Sequence, residues 1–266
     1  MTTFQKIIKY LAIAFAVFLS ISIISGICGA IFSITGIFHN NPVGEMKQYS
    51  VGSDFTEIKT ELSAASLEIK TGDQFRIDSN HKYIDCREED GCLVIKEKKS
   101  TFPGRFADVR VVVTIPEGTV FQTAQIGAGA GEVDIEELAA DSLTLELAAG
   151  ELNAGKLTAA KQAKIDGGAG SVSIKEGSLP NADIDMGVGE LEYTGTLTGR
   201  ARIDYGVGET NLVLTGSEKD YEISLDKGVG EATLNGRKMS DDAVYGSGNN
   251  RIEIDGGVGE LEITFR

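Results

Sequence analysis

Tryptophan is absent from this 266-residue chain, and histidine occurs only twice. Two histidines leave little for imidazole-based catalysis or a histidine-rich metal centre, although carboxylate chemistry stays open. Three cysteines are too few for a disulfide-dense miniature scaffold. Basic residues are scarce as well: 25 Lys and Arg face 40 Asp and Glu, a formal charge of −15. Phosphate neutralisation needs a basic face, so nucleic acid is excluded as a partner. Nucleotide is excluded too, because neither a dinucleotide fingerprint nor a P-loop occurs among the many glycines.

What is present is unevenly spread. Residues 1–120 carry 13 basic and 14 acidic side chains, and residues 121–266 carry 12 and 26. The repeat-bearing part therefore holds −14 of the charge, and it also holds 24 of the 33 glycines. The apolar excess lies elsewhere. Of the 29 residues in Tyr10–Phe38, 21 are hydrophobic, and no formal charge falls between Lys9 and Glu45. About 20 such residues span a bilayer core, and a cleaved signal would have a shorter apolar run. Tyr10–Phe38 is thus expected to be a retained transmembrane helix. Lys6 and Lys9 precede it, which places residues 1–9 in the cytoplasm and Asn40–Arg266 outside the cell membrane. Ser22, Gly26 and Ala30 recur every fourth residue, as do Ser25, Gly29 and Ser33. That spacing suits either close helix pairing, hence a homo-oligomer, or ordinary membrane-helix composition.

The remainder is ruled by a repeat. A Gly-x-Gly unit followed by an acid and by alternating residues appears at Gly129–Gly131 and, worn, at Ala148–Gly150. It returns at Gly168–Gly170, Gly187–Gly189, Gly206–Gly208, Gly228–Gly230 and Gly257–Gly259. The second glycines are 19, 20, 19, 19, 22 and 29 residues apart. Alternation on both sides of a glycine reads as strand, bend, strand. A unit of this size cannot bury its own apolar face, so the copies must stack. The expected fold is all-β, a parallel β-solenoid with Gly-x-Gly-Glu repeats of about 20 residues, preceded by one transmembrane α-helix. An antiparallel meander is the rival. The longer late intervals suggest loops inserted into rungs, such as Arg237–Asn250.

The segment before the repeat also has strand character, at Phe55–Lys59, Ser66–Lys70, Phe75–Asp78, Leu93–Glu97 and Val109–Ile115. Ser63–Ile69 looks like a worn copy of the unit. The expected organisation is a tail at 1–9, a span at 10–38, a linker at 39–50, N-terminal coils or cap at 51–120, and the acidic solenoid at 121–266. A hairpin over Asp85–Leu93 is expected to bring Cys86 and Cys92 near each other across Glu89-Asp90-Gly91, where a disulfide and two free thiols both remain open.

Together these features resemble the bacterial toast-rack family, a domain of unknown function whose members are labelled adhesins. The resemblance rests on the N-terminal span, Val111–Pro116, the Gly-x-Gly-Glu repeats and the closing Tyr245–Gly259. It implies a β-rich extracytoplasmic domain associated with envelope stress or membrane sensing, and it brings no catalytic residues.

Candidate chemistry is confined to the acids. Stacked copies would align Glu132, Glu151, Glu190, Glu209, Glu231 and Glu260 in one column. Glu146, Asp166, Asp185, Asp204, Asp226 and Asp255 would form another. Oxygen-rich columns suit Ca²⁺; a solvated acidic face that deters sideways association is the plainer account. The calcium nonapeptide itself is missing, since Leu261 stands where its ligand Asp belongs. His81 reads as an exposed strand-end residue and His39 lies at the membrane edge. Paired carboxylates could hydrolyse glycosides, but these acids repeat with the coil and no aromatic platform accompanies them. The expected function is non-enzymatic: a membrane-anchored sensing or scaffolding module with a protein partner at the envelope. A cell-surface adhesin is the alternative, and a carbohydrate-active enzyme a more distant one. No cofactor is expected beyond the Ca²⁺ possibility.

Overall fold

The computed structural model describes residues 43–98 and 109–266. The expected transmembrane helix and its rows of small residues lie outside the described residues. Among those described, no helix is long and apolar enough to cross a membrane.

Alternating apolar and polar residues make nearly every described segment a strand. The first seven are β1 (Val43–Tyr49), β2 (Glu57–Ala64), β3 (Ser66–Gly72), β4 (Arg76–His81), β5 (Ile84–Glu89), β6 (Cys92–Glu97) and β7 (Arg110–Pro116). β8 (Val120–Pro180) stays paired throughout while bending at its glycine corners. β9 (Ala182–Thr198), β10 (Arg200–Leu214), β11 (Tyr221–Asp226), β12 (Val229–Leu234), β13 (Arg237–Lys238), β14 (Ala243–Gly246) and β15 (Asn250–Phe265) follow. The stretch expected as a linker therefore supplies β1, which pairs antiparallel with β4. Its VGEMKQY sequence is mostly exposed and carries little apolar alternation to announce a strand.

Pairing between successive long strands is parallel, which establishes the solenoid over the meander. Each rung has a leg before the glycine corner and a leg after it. Asp166 pairs with Asp185, Asp185 with Asp204, Asp204 with Asp255, and Asp255 with Asp226. The worn copy belongs to the same stack, with Leu67 opposite Val133 and Ile69 opposite Ile135. Inside, Ile165, Ile184, Ile203 and Ile254 form one buried column, and Val172, Leu191, Thr210 and Leu261 another, with Thr210 its polar member. Each buried side chain of this size contributes about 1.5–3 kcal/mol relative to leaving it in water. Tyr193 and Tyr205 also lie in the core. Their rings fit because glycines lie against them: a Cβ on Gly177 would come within 2.4 Å of Tyr193, and one on Gly256 within 2.3 Å of Tyr205.

The corners explain the glycines. Gly208 has φ +144°, a region unfavourable to side chains, and a Cβ on it would lie 1.7 Å from the Gly189 carbonyl oxygen. The first glycine of the same corner, Gly206, lacks a positive φ but would place its Cβ 2.3 Å from the Gly187 oxygen. Both positions are closed to any side chain by the rung before them. Ala65 holds the second-glycine position of the first rung and has no positive φ. Among the described residues no earlier glycine corner lies beneath it, which accounts for the worn motif.

Spatial order departs from sequence order at the far end. β15 lies between β10 and the β11–β12 rung. The chain builds its outermost rung first and then returns to fill the gap. Arg237–Asn250 is accordingly no simple loop inserted into a rung. It contains β13, antiparallel to β12, and β14, antiparallel to β11. At the opposite end β4 runs antiparallel to β7, and β5 to β6. Antiparallel strands thus finish both legs at both ends and close most of the parallel stack to edge-to-edge growth, with β13 covering β12 at Thr233 and Leu234 alone.

Gly208→Ala is expected to cost on the order of 4 kcal/mol or more, or to prevent folding. Gly91→Ala, at an open turn with φ +80°, should cost only about 1–2 kcal/mol. Chemical denaturation of both variants checks the comparison, and equal costs would contradict the corner argument.

Candidate functional site

From Asp166 and from Glu190 onward, the two expected acidic columns form in-register ladders. Asp166, Asp185, Asp204, Asp255 and Asp226 run along the leg before the corner. On the leg after it, Ser171 aligns with Glu190, Glu190 with Glu209, Glu209 with Glu260, and Glu260 with Glu231. Glu132, Glu151 and all four aligned glutamates are exposed. Glu146 also lines an open cleft with Glu61, Glu97 and Asp166.

Basic residues interrupt only one ladder to any extent. Lys164 reaches Asp166 at 2.7 Å and Arg202 reaches Asp204 at 2.9 Å. Asp185 sits between them without such a partner in its ladder. Partial burial pushes its carboxyl above the usual range, and the charges of Asp204, Asp166 and Asp183 add to that shift. Asp204 keeps one carboxylate oxygen buried and without a hydrogen bond. On the glutamate side Lys238 meets Glu231 at 3.1 Å. Contacts this exposed are worth roughly 0–1 kcal/mol, so the ladders carry net repulsion.

The ladders do not converge on a cation. Among the described residues no group of three or more His, Cys, Asp or Glu is placed to hold a metal ion. The reason is geometric. Neighbours in a column stand side by side at about 4.8 Å and point outward together, whereas Ca²⁺ needs six to eight oxygens directed at one point.

The cysteines do not meet either. The Asp90-Gly91 turn, with φ of 51° and 80°, pairs Glu89 with Cys92 and places Cys86 opposite Ile95. Cys86 and Cys92 are therefore three register positions apart, about 10 Å along the strand, and their faces are opposite. A disulfide needs Cα atoms within about 7 Å, and both thiols are free. Burial pushes the Cys86 thiol up to about 12.

His81 is the clearest departure from expectation. It is buried, with its imidazole 3.2 Å from the Glu97 carboxylate, whose side chain is only 3% exposed. The Tyr83 N–H donates to His81 Nδ1 at 3.0 Å, so Nδ1 is the accepting nitrogen and Nε2 is the one turned toward Glu97. Nε2 approaches the Glu97 carboxylate at 3.2 Å. Burial pushes the Glu97 carboxyl up, but His81 and Ser63 together outweigh it and hold the group below its ordinary value. Glu97 and His81 tie β6 to β4, joining the two legs at the N-terminal end. Sequence spacing offered no local signal, since the partners are 16 positions apart.

Two open clefts flank the ladders. One of 910 Å³ is lined by Glu61, Glu97, Glu146 and Asp166, and another of 430 Å³ by Asp204, Asp226, Asp255 and Val244. Both also take in acids outside the ladders, Glu61 and Glu97 in the first and Asp242 and Glu253 in the second.

The stacked corners, the antiparallel caps and the acid ladders define a β-solenoid of the toast-rack kind. The family model described as Toastrack DUF4097 matches residues 55–257, and the chain belongs to that family. No curated protein sequence matches the chain. Among solved structures, a candidate adhesin from Bacteroides fragilis is similar over 85% of this chain and 100% of its own, at 13% identity and a TM-score of 0.47. Another from Parabacteroides distasonis covers 86% and 100%, at 15% identity and 0.36. A candidate cell adhesion protein from Clostridium sporogenes covers 84% and 99%, at 16% identity and 0.36.

Three measurements test this electrostatic description. Because the folded value of Glu97 is depressed, its contribution is present above the ordinary carboxylate range and is lost as pH falls through the folded value. Glu97→Gln should cost about 1–3 kcal/mol at pH 7, and its stability gap to wild type should shrink in acid. Asp185 has the opposite sign: its ionised form is disfavoured in the fold. Asp185→Asn should raise Tm by about 1 °C at pH 7, with no gain below about pH 3, where both are neutral. Both thiols should alkylate without reductant, Cys86 more slowly than Cys92. Reductant-dependent labelling of either would restore the bridge.

Proposed function

We propose that the chain is a non-enzymatic binding and scaffolding module of the bacterial cell envelope. Tyr10–Phe38 anchors it in the cytoplasmic membrane, and the solenoid stands outside, where it senses or organises envelope components through a protein partner. One observation carries this reading. The acids recur rung by rung as an extended outward surface instead of gathering at one point. Catalysis needs a convergent constellation, whereas an extended repeated surface suits recognition. The apolar run between Lys9 and Glu45, with its lysines on one flank, supports the anchor and its direction.

Protease treatment of intact cells tests the topology. Digestion of the solenoid from outside, with residues 1–9 protected, is expected; a solenoid that survives until the membrane is opened would overturn it. In-cell crosslinking from the solenoid should recover a discrete envelope protein. Recovery of only unrelated abundant proteins under envelope stress would remove the sensing role.

A further inference from the structure

Four neighbouring rungs repeat more closely than the fold requires. Their corners are Asp185-Met186-Gly187-Val188-Gly189-Glu190, Asp204-Tyr205-Gly206-Val207-Gly208-Glu209, Asp255-Gly256-Gly257-Val258-Gly259-Glu260 and Asp226-Lys227-Gly228-Val229-Gly230-Glu231. In space they stack in that order. Packing accounts for the glycines, which face the preceding carbonyls. It does not account for the other shared positions. The residue after Asp varies as Met, Tyr, Gly and Lys, and three of these lie in the buried interior. The residues held constant are the outward-facing Asp, Val and Glu.

Valine at the corner is unusual in its setting. Earlier corners carry Ala130, Ala149 and Ala169, all exposed. Val188 is 36% exposed, and Val207, Val258 and Val229 are half-buried beside it. The result is a row of branched apolar side chains along the solenoid edge, with an aspartate ladder on one side and a glutamate ladder on the other. Repulsion within those ladders lowers stability, and at Asp185 it adds to the partial burial that raises the carboxyl. Arg202, Lys227 and Lys238 offset only part of the charge. An apolar row rimmed by one sign of charge has the composition of a recognition surface.

We infer that this valine ridge docks a cationic amphipathic helix of a partner protein. Charge complementarity selects the occupant. A second copy would bring four aspartates and four glutamates against the same set, and an anionic lipid surface or nucleic acid would be repelled in the same way. Geometry selects a helix over a strand. A helix presents one face every 5.4 Å, against a rung spacing of about 4.8 Å. The mismatch is about 0.6 Å per rung, under 2 Å across the four valines. A strand repeats one face about every 6.8 Å and falls out of step within two rungs. The helix lies along the ridge with small apolar residues over the valines and Lys or Arg on both flanks. This inference rests on the binding-module reading and names the chemistry of its partner.

Full-length protein in zwitterionic nanodiscs can be titrated with a designed Leu/Lys amphipathic helical peptide and, separately, with oligolysine of equal charge. Empty nanodiscs provide the baseline. The helical peptide is expected to bind at least about tenfold more tightly than oligolysine, and more weakly as salt rises. Val188→Thr, Val207→Thr, Val258→Thr and Val229→Thr in one variant keep the branched shape and should erase that tenfold preference. Oligolysine binding should be unchanged by that variant. Glutamine at Glu190, Glu209, Glu260 and Glu231 should weaken both ligands, with Tm confirming folded protein. Equal binding of the threonine variant and wild type, or equal binding of the two peptides, overturns the inference. Protease shaving reads topology and does not involve the valines. A correctly exposed solenoid that ignores the helical peptide therefore overturns the ridge alone.

Discussion

Everything in this solenoid depends on how closely one corner rests on the next. With Gly208 placed so that a Cβ would lie 1.7 Å from the Gly189 oxygen, the backbone of each rung occupies the space a side chain would need. That contact does more than permit a bend. It locks the relative height of adjacent rungs at the corner, and both legs inherit their register from it. A slip of one residue would exchange the buried and exposed sets on both legs. The isoleucine column made by Ile165, Ile184, Ile203 and Ile254 would then face water, so corner sterics and core burial enforce the same alignment.

Locked register has an electrostatic consequence. Any residue type favoured just outside the corner becomes a ladder of itself. The aspartates and glutamates thereby form lines of like charge at rung spacing, with only local relief from Lys164, Arg202 and Lys238. The ladders are a by-product of the same geometry that orders the core. Their sign is not a by-product, because Ser171, aligned with Glu190, shows that such a position can be neutral.

The periodic part of this architecture was legible because glycine spacing reports the corners directly. Rung order was not legible: seven corners with one motif do not say which copy lies beside which. Only the pairings reveal that β15 enters between β10 and the outer rung. There Asn235 accepts the Phe265 N–H at 3.1 Å, and its own N–H donates to the Ile263 carbonyl at 2.8 Å. The Cys86–Cys92 separation did have a sequence signal, in the two-residue turn at Asp90-Gly91 that sets the hairpin register. His81 had only a weak one, the alternation that puts it on the inward face with Ile77 and Ser79, while its partner Glu97 arrives from another strand. Val43–Tyr49 lacked the alternation that identifies a strand, since β1 is an edge with little to bury.

The late insertion of β15 bears on the surface as well as the fold. Without it, Val207 and Val229 would belong to rungs that do not touch, and the two acid ladders would be broken at the same place. Residues 250–265 restore the missing Asp, Val and Glu in their own columns. A strand filling that gap for packing alone would need only its buried Ile252, Ile254, Leu261 and Ile263. That it also carries Asp255, Val258 and Glu260 makes the outer face continuous across a join that the chain crosses out of order. Continuity at that join is a property of the surface, and the core does not demand it.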